Sequence, residues 1–417
     1  ISPMLPLLYQ AFIDRPLYES DPAWTLDNFR ELASDPNFRS ACLNTLWFAI
    51  LGTAISTTTG FVVALALERF GLPFRRTLKI LFLSPIFISA LILAFSWSML
   101  YGPSGYAAIL LKASLGISLP NLNSLVGMSV LAGVSAAPVS YLFFAAAMRN
   151  IPPTLEDAAR AAGASPLRAV LGVVLPLMRP SLIYCILLNF VLKFDQLAVP
   201  LVVGEPARIK VLATYLYEKG LQTQSDYGIV SATAVVMLAV IQIVIGLQKY
   251  ALGDVRRYTT VGGRSMKRGM IRLGAAGWAV SGALLAYTLL TTGIPGAFLI
   301  LRSFCSFMSP LIPISQVLTL YNFRLVLGYD AYVRSIINTV IIATVGGFGA
   351  LVLTFASSVV AYRSPPLLRR VVEQTAFIPR AIPGMVVGIG IFYAAVILPG
   401  GFAEAGPAGV ARNEALL

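Results

Sequence analysis

The side chains that enzymes use for covalent chemistry are nearly missing from this sequence. It has no histidine, which removes any Ser-His-Asp triad, histidine metal ligand or histidine proton relay. Its three cysteines, Cys42, Cys185 and Cys305, stand far apart with no CxxC spacing. They give neither a metal site nor a disulfide framework. No GxxxxGKS or GxxxxGKT run occurs, and no lysine precedes Ser or Thr, so the chain has no phosphate-cradling loop. What remains are charges in unusual places. Lys193 and Asp195 interrupt an apolar stretch, with Asn189 and Gln196 as polar neighbours. Glu156-Asp157-Ala158-Ala159 opens a short alanine-rich segment that closes at Gly163. The first group could line a substrate path; the second could grip another protein.

Composition says what must position these groups. Of 417 residues, 57% are hydrophobic and 12% charged, with a net charge of +13. A soluble chain is about half apolar and a quarter charged, so a soluble enzyme, a disordered protein and a nucleic-acid binder are excluded in favour of a polytopic membrane protein. Eight stretches are long enough to cross a bilayer: 41–67, 80–101, 123–148, 181–203, 227–248, 273–301, 335–362 and 374–399. Backbone polar groups must be satisfied internally in lipid, and no barrel-like alternation is present, so the predicted class is all-α. Segments 68–79, 149–180, 249–272 and 363–373 carry 18 basic and five acidic residues; the segments on the other side carry 11 and 12. The alternation places the basic side in the cytoplasm. The charge balance is thus topology and no sign of a nucleic-acid partner.

The sequence also repeats. At an offset of 294 residues, Thr25-Leu26-Asp27-Asn28-Phe29-Arg30 meets Thr319-Leu320-Tyr321-Asn322-Phe323-Arg324, Asn44-Thr45 meets Asn338-Thr339, Arg75-Arg76 meets Arg369-Arg370, and Pro85 meets Pro379. Two parallel copies of one membrane unit are expected. The first is 1–250 and lacks its first helix; a basic cytoplasmic linker covers 251–272; the second, 273–417, is incomplete. The chain reads as part of a protein with about twelve spans.

Segment 150–180 has the local chemistry of a capped helix at about 155–162. Pro152 and Pro153 stop the preceding span. Thr154 is a good N-cap, with Asp157 completing a capping-box-like arrangement. Glu156 and Asp157 complement the positive end of the helix dipole, and Gly163 suits a left-handed stop. Ala158, Ala159, Ala161 and Ala162 leave a slim surface that fits another protein's groove.

Here the sequence resembles a family. Asp157-Ala158-Ala159, then Gly163, then Leu175-Pro176 is similar to the EAA loop of binding-protein-dependent ABC transporter permeases, with Asp157 where glutamate is usual. Ile378-Pro379-Arg380-Ala381-Ile382-Pro383-Gly384 with Gly388 resembles the third helix of the same permeases. Phe194 to Gly204 resembles fused two-half permeases of the ferric-iron and thiamine kind. The resemblance implies a type I importer permease in the bacterial inner membrane, without cofactor, metal or catalytic residue of its own. It implies a separate ABC ATPase subunit, as a homodimer, docked on Glu156, Asp157, Ala158, Ala159 and Gly163. It also implies a periplasmic or lipoprotein substrate-binding protein on the outer side. Ferric iron is the expected cargo by subgroup; thiamine, polyamines, sulfate and phosphonates stay open. Two other classes remain beside it, a secondary transporter with fused repeats and a non-transporting membrane scaffold.

Lys193 and Asp195 fall near the middle of span 181–203, where a charge costs roughly 2.5–3.5 kcal/mol. Two residues apart on a helix, they do not face each other. Each is expected to find a partner on another helix, either as a path lining with Asn189 and Gln196 or as an interhelical salt bridge.

Overall fold

The computed structural model describes residues 4–16, 19, 21–221, 226–252, 270–271, 273–310, 312–365, 367–369, 371–372, 384, 386–388 and 390–391. Their helices are α1 (Met4–Gln10), α2 (Asp27–Ser34), α3 (Pro36–Arg69), α4 (Arg75–Leu83), α5 (Ala90–Tyr101), α6 (Tyr106–Leu115), α7 (Leu125–Asn150), α8 (Pro153–Ala161) and α9 (Pro166–Ala169). There follow α10 (Leu175–Leu177), α11 (Arg179–Phe194), α12 (Leu212–Leu221), α13 (Tyr227–Leu252), α14 (Ala275–Thr288), α15 (Ile294–Ser303), α16 (Tyr321–Gly328), α17 (Asp330–Ile341) and α18 (Gly347–Arg363). Among the described residues there is no strand, only isolated bridges. The all-α expectation holds. Most of the span expected at 374–399, with its Arg380, and nearly all of the linker lie outside the described residues.

Among the described residues, five helices or helix runs are long and apolar enough to cross a membrane, up to seven if each of two bent pairs counts as one span. The expected spans 41–67, 123–148, 227–248, 273–301 and 335–362 match Pro36–Arg69, Leu125–Asn150, Tyr227–Gln248, Ala275–Ser303 and Asp330–Arg363. The other two need correction. Span 80–101 is not one rod: Arg75–Phe87 and Ala90–Leu115 meet at 102°. Pro85 has no N–H to give to the Leu81 carbonyl, so the helix tightens into a 3-10 turn at Ser84–Phe87. The Ser84 hydroxyl takes that carbonyl instead, at 2.7 Å. Span 181–203 begins earlier and ends sooner. Val170–Leu177 and Arg179–Phe194 are bent by 66°, next to Pro176 and Pro180, and the helix stops at Phe194. Lys193 and Asp195 therefore sit at a helix end, not at mid-span.

Two compact units make up the chain. The unit of Asp35–Tyr215 and Gln242–Leu299 holds the sites of interest. Its axis is α3, started by Asp35, whose carboxylate accepts the Asn37 N–H, with Pro36 in the first turn. Its 34 residues reach about 50 Å at 1.5 Å each, beyond a hydrocarbon core of about 30 Å. The C-terminal end of α3 can thus stand clear of the membrane.

Small residues set the α3–α7 contact. A Cβ on Gly60 would lie 2.4 Å from Ser140 Cβ and 2.8 Å from the Tyr141 nitrogen; one on Gly133 would lie 2.7 Å from Ile55 Cβ. Without a hydrophobic drive between helices in lipid, this close backbone approach supplies the packing energy. Around it, Val63, Leu67, Leu78, Phe82, Tyr141, Phe144 and Met148 are buried together. In the same unit α14 packs against α4. The Ser281 hydroxyl donates to the Pro73 carbonyl at 3.1 Å. The wide turn Leu289–Gly293 turns carbonyls outward: Trp97 donates to Thr291 O and Tyr101 to Leu290 O, both at 2.8 Å.

The other unit comprises Ile1–Ser34, Leu216–Ile241 and Ile300–Leu417. It holds two clasps of the same design. The Asn28 amide donates to Ala11 O and Ile13 O at 3.1 and 2.9 Å, and Asn322 to Ser303 O and Cys305 O at 3.0 and 2.9 Å. Thr25 N–H donates to Phe12 O at 2.8 Å and Thr319 N–H to Phe304 O at 2.7 Å. The rings of Phe12 and Phe29 lie 5.2 Å apart, those of Phe304 and Phe323 4.9 Å.

Candidate coupling loop and intramembrane polar cluster

The coupling loop starts where α7 stops. Ile151 is extended, and Pro152 and Pro153 prevent continuation. Pro153 then fills the first helical position, where a missing N–H costs nothing, so α8 (Pro153–Ala161) begins two residues earlier than the expected 155. The N-cap is Pro152 and no side chain caps the helix. This corrects the assignment of Thr154 as N-cap and the capping box with Asp157. Thr154 lies inside the first turn, and its side chain is exposed.

The other end matches expectation. Gly163 has φ +88°, and its N–H donates to Arg160 O at 2.9 Å while Ala164 N–H reaches Ala159 O at 3.0 Å. These are the paired bonds of a Schellman stop. A side chain in that conformation costs about 1–2 kcal/mol. Gly163→Ala is therefore expected to speed amide hydrogen exchange across residues 158–164 by roughly fivefold or more, whereas Thr154→Ala leaves it unchanged.

The two acids of α8 face different ways. Glu156 turns inward, its side chain 14% exposed, and its Oε1 lies 2.8 Å from Nη2 of the buried Arg69. Burial pushes the Glu156 carboxyl up from the ordinary glutamate range; Arg69 pulls it back and neighbouring Asp157 pushes it further up. Asp157, Ala158, Arg160 and Gly163 are exposed, and Ala159 is half-buried. The outward side of α8 thus offers one carboxylate, Asp157, beside Ala158, with Leu155 and Arg160 also exposed.

Sequence reasoning missed the anchor beneath this loop. Glu68, 6% exposed, accepts from Arg149 at 2.6 and 3.1 Å, from Arg75 at 3.1 Å and from the Tyr141 hydroxyl at 2.8 Å. Arg75 also donates to the Leu67 carbonyl. One carboxylate thereby ties the end of α3 to α4 and α7. The only sequence signal was an acid standing among basic residues on the cytoplasmic side.

Inside the membrane, Asn189 and Lys193 lie on one face of α11 and are fully buried. Lys193 Nζ donates to Ser56 Oγ at 3.2 Å and to Asn189 Oδ1 at 3.1 Å. Ser56 Oγ donates to Asn189 Oδ1 at 3.0 Å, and Asn189 Nδ2 to Ser140 Oγ at 3.1 Å and Cys185 O at 2.9 Å. The knot joins α3, α7 and α11. Gly52 makes room for it: a Cβ there would lie 2.7 Å from Lys193 Cδ. Lys193 thus meets a hydroxyl and an amide, and among the described residues it forms no ion pair. Asp195 and Gln196 lie just past the helix end, half-buried in non-helical backbone. The structure therefore separates the four polar residues into a buried pair and a pair at a helix break. Asn189→Leu strips an acceptor from a buried ammonium and is expected to destabilise by about 1–3 kcal/mol. Thermal unfolding of the purified protein in nanodiscs reads this as a lowered midpoint.

The family described as binding-protein-dependent transport system inner membrane component matches residues 44–257, a stretch that contains α8 and the polar knot. A relative from Sinorhizobium fredii, described as a probable ABC transporter permease protein, y4fN, is 27% identical over 94% of this chain and 68% of its own length. A ferric transport system permease protein, FbpB, from Actinobacillus pleuropneumoniae is 26% identical over 83% of this chain and 50% of its own. This chain therefore spans only half of that relative. The fold is similar to that of a chain in a crystal structure of a bacterial alginate ABC transporter bound to its periplasmic protein, with TM-score 0.51 and 21% identity over 63% of this chain and 90% of that one. The chain belongs to the family of binding-protein-dependent transport system inner membrane components.

Proposed function

We propose that this chain is the permease of an ATP-driven importer in the bacterial inner membrane, with no covalent chemistry of its own. The observation that carries the reading is α8. It is a short helix with a left-handed glycine stop, outside the membrane-crossing helices, with Asp157 and Ala158 presented outward, and the basic charge of its segment assigns it to the cytoplasmic side. A separate ATPase homodimer grips it, and closure of that dimer on ATP turns the membrane helices between inward-open and outward-open states. A substrate-binding protein delivers cargo on the outer side.

Two further features belong to this proposal. The chain consists of two fused units, 1–250 and 273–417, joined by the linker 251–272. Matching helix bounds support this: α2 and α16 differ by 294 at both ends, as do α3 and the run from α17 to α18. The duplicated asparagine clasps support it too. The path, in turn, passes the break after α11. Non-helical backbone at membrane depth is tolerated where protein buries it or where it lines a water-filled cavity. Asn189 and Lys193 hold the end of α11, and Asp195 and Gln196 face the cargo. The cargo we propose is ferric iron, in keeping with the ferric relative.

Reconstitution tests this. Proteoliposomes holding the full-length permease with the ATPase and binding protein encoded beside it should accumulate radioactive ferric iron only with ATP. Uptake that persists without the ATPase and follows an ion gradient would replace the reading with a secondary transporter.

A further inference from the structure

Among the described residues, Arg69, the last residue of α3, carries the most deeply buried guanidinium, at 3% exposure. Adjacent Glu68 is already committed to Arg75, Arg149 and Tyr141. Among the described residues, the one carboxylate in ion-pair contact with Arg69 is Glu156 of α8. The contact is close, 2.8 Å, yet none of the guanidinium nitrogens has an aligned hydrogen bond. It is held by charge and not by a fork-like match. The backbone of Arg69 is pinned as well: its carbonyl accepts the Ile271 N–H at 3.1 Å, and Ile271 O accepts from Gly71 at 3.0 Å. Arg69 thus cannot follow α8 by drifting; α8 must follow Arg69. Of the residues one turn after Glu156, Ala159 is half-buried and Arg160 exposed, so Glu156 is the carboxylate by which α8 reaches the end of α3. Removing either partner leaves a buried charge without its counterion, which is far costlier than losing a surface pair.

We infer that Arg69 and Glu156 form a latch that makes α8 and α3 move as one body, and that the adjacent acids of α8 divide two tasks. Glu156 holds the permease side, and Asp157 faces the motor. Arg69 is thus a positioning residue for energy coupling. The inference rests on the importer reading given above.

The test uses the full permease–ATPase complex in nanodiscs, with spin labels on Ala161→Cys in α8 and Val62→Cys on the exposed side of α3. A third label on the ATPase reports the motor. In the wild-type background, ATP should shift the distance from Ala161 to the motor while leaving the Ala161–Val62 distribution narrow. Arg69→Met should broaden the Ala161–Val62 distribution at least twofold and make it respond to ATP. A control pair, Val62 and Leu142, should stay unchanged, which separates a lost latch from a disturbed fold. Glu156→Gln is the second variant if Arg69→Met fails to insert. The exchanged pair, Arg69→Glu with Glu156→Arg, should restore the narrow distribution. An Ala161–Val62 distance that stays narrow in both single variants overturns the latch while the importer reading stands. No ATP-dependent change between Ala161 and the motor in the wild type overturns both.

Discussion

Gly60→Val should all but abolish folded protein, cutting the yield of monodisperse permease at least tenfold. The added Cβ would lie 2.4 Å from Ser140 Cβ, 2.8 Å from the Tyr141 nitrogen and 2.9 Å from the Ala137 carbonyl. Two of those three atoms are backbone, so no rotamer change relieves the clash. Overpacking of a tight core typically costs 1–3 kcal/mol, occasionally more, and here the strain lands on the α3–α7 contact that carries both sites. Gly246→Ala is the control. Nothing lies within 4 Å of its new Cβ, and alanine favours a helix by about 1 kcal/mol over glycine. Size-exclusion profiles of the two variants, expressed side by side, make the comparison. A Gly60→Val protein as abundant and uniform as Gly246→Ala would mean that α3 and α7 are not packed in this way.

The second large effect concerns the motor. Asp157→Arg should weaken capture of the ATPase subunit by about a hundredfold or more, since reversing a charge at an interface costs several kcal/mol. The permease itself should lose almost nothing, because Asp157 is exposed and surface changes rarely exceed 0.5 kcal/mol. Binding of the purified ATPase to immobilised permease, measured beside the thermal midpoint, reads both. Equal affinity for Asp157→Arg and wild type would remove Asp157 from the interface.

Much of this was legible in the residues, for identifiable reasons. The ends of α7 and α8 could be read because Pro152, Pro153 and Gly163 act on the backbone directly, whatever surrounds them. Single apolar helices such as α3 and α13 could be read because lipid requires long apolar runs. The breaks could not. Hydropathy is a sum over side chains and stays high through Pro85 and Pro180, while the bend depends on which group takes the carbonyl that proline leaves. The Ser84 hydroxyl does so at one break, a detail with no hydropathy signature. The N-cap was misplaced because Thr154 competes with a proline that starts a helix equally well.

The candidate sites show the same division. Chain chemistry flagged Glu156, Asp157, Asn189, Lys193, Asp195 and Gln196 as residues to watch. It could not say which acid of α8 turns inward, since neighbours on a helix point about 100° apart and the choice is made by Arg69, 87 positions earlier. Nor could it find Ser56 as the partner of Lys193, which is 137 residues away. A charge in a membrane helix suggests an opposite charge as its partner, and here a hydroxyl and an amide suffice. Glu68 passed unnoticed because its value lies in three elements converging on it, and convergence is a property of the fold.

The most direct measurement is a zero-length or short-arm crosslink from Ala158→Cys in native membranes that contain the whole transporter. The account predicts a single adduct with a nucleotide-hydrolysing subunit, formed readily from the aqueous side and changed in yield by ATP. Full membrane insertion with no such adduct, or a thiol shielded from water by lipid, would contradict it.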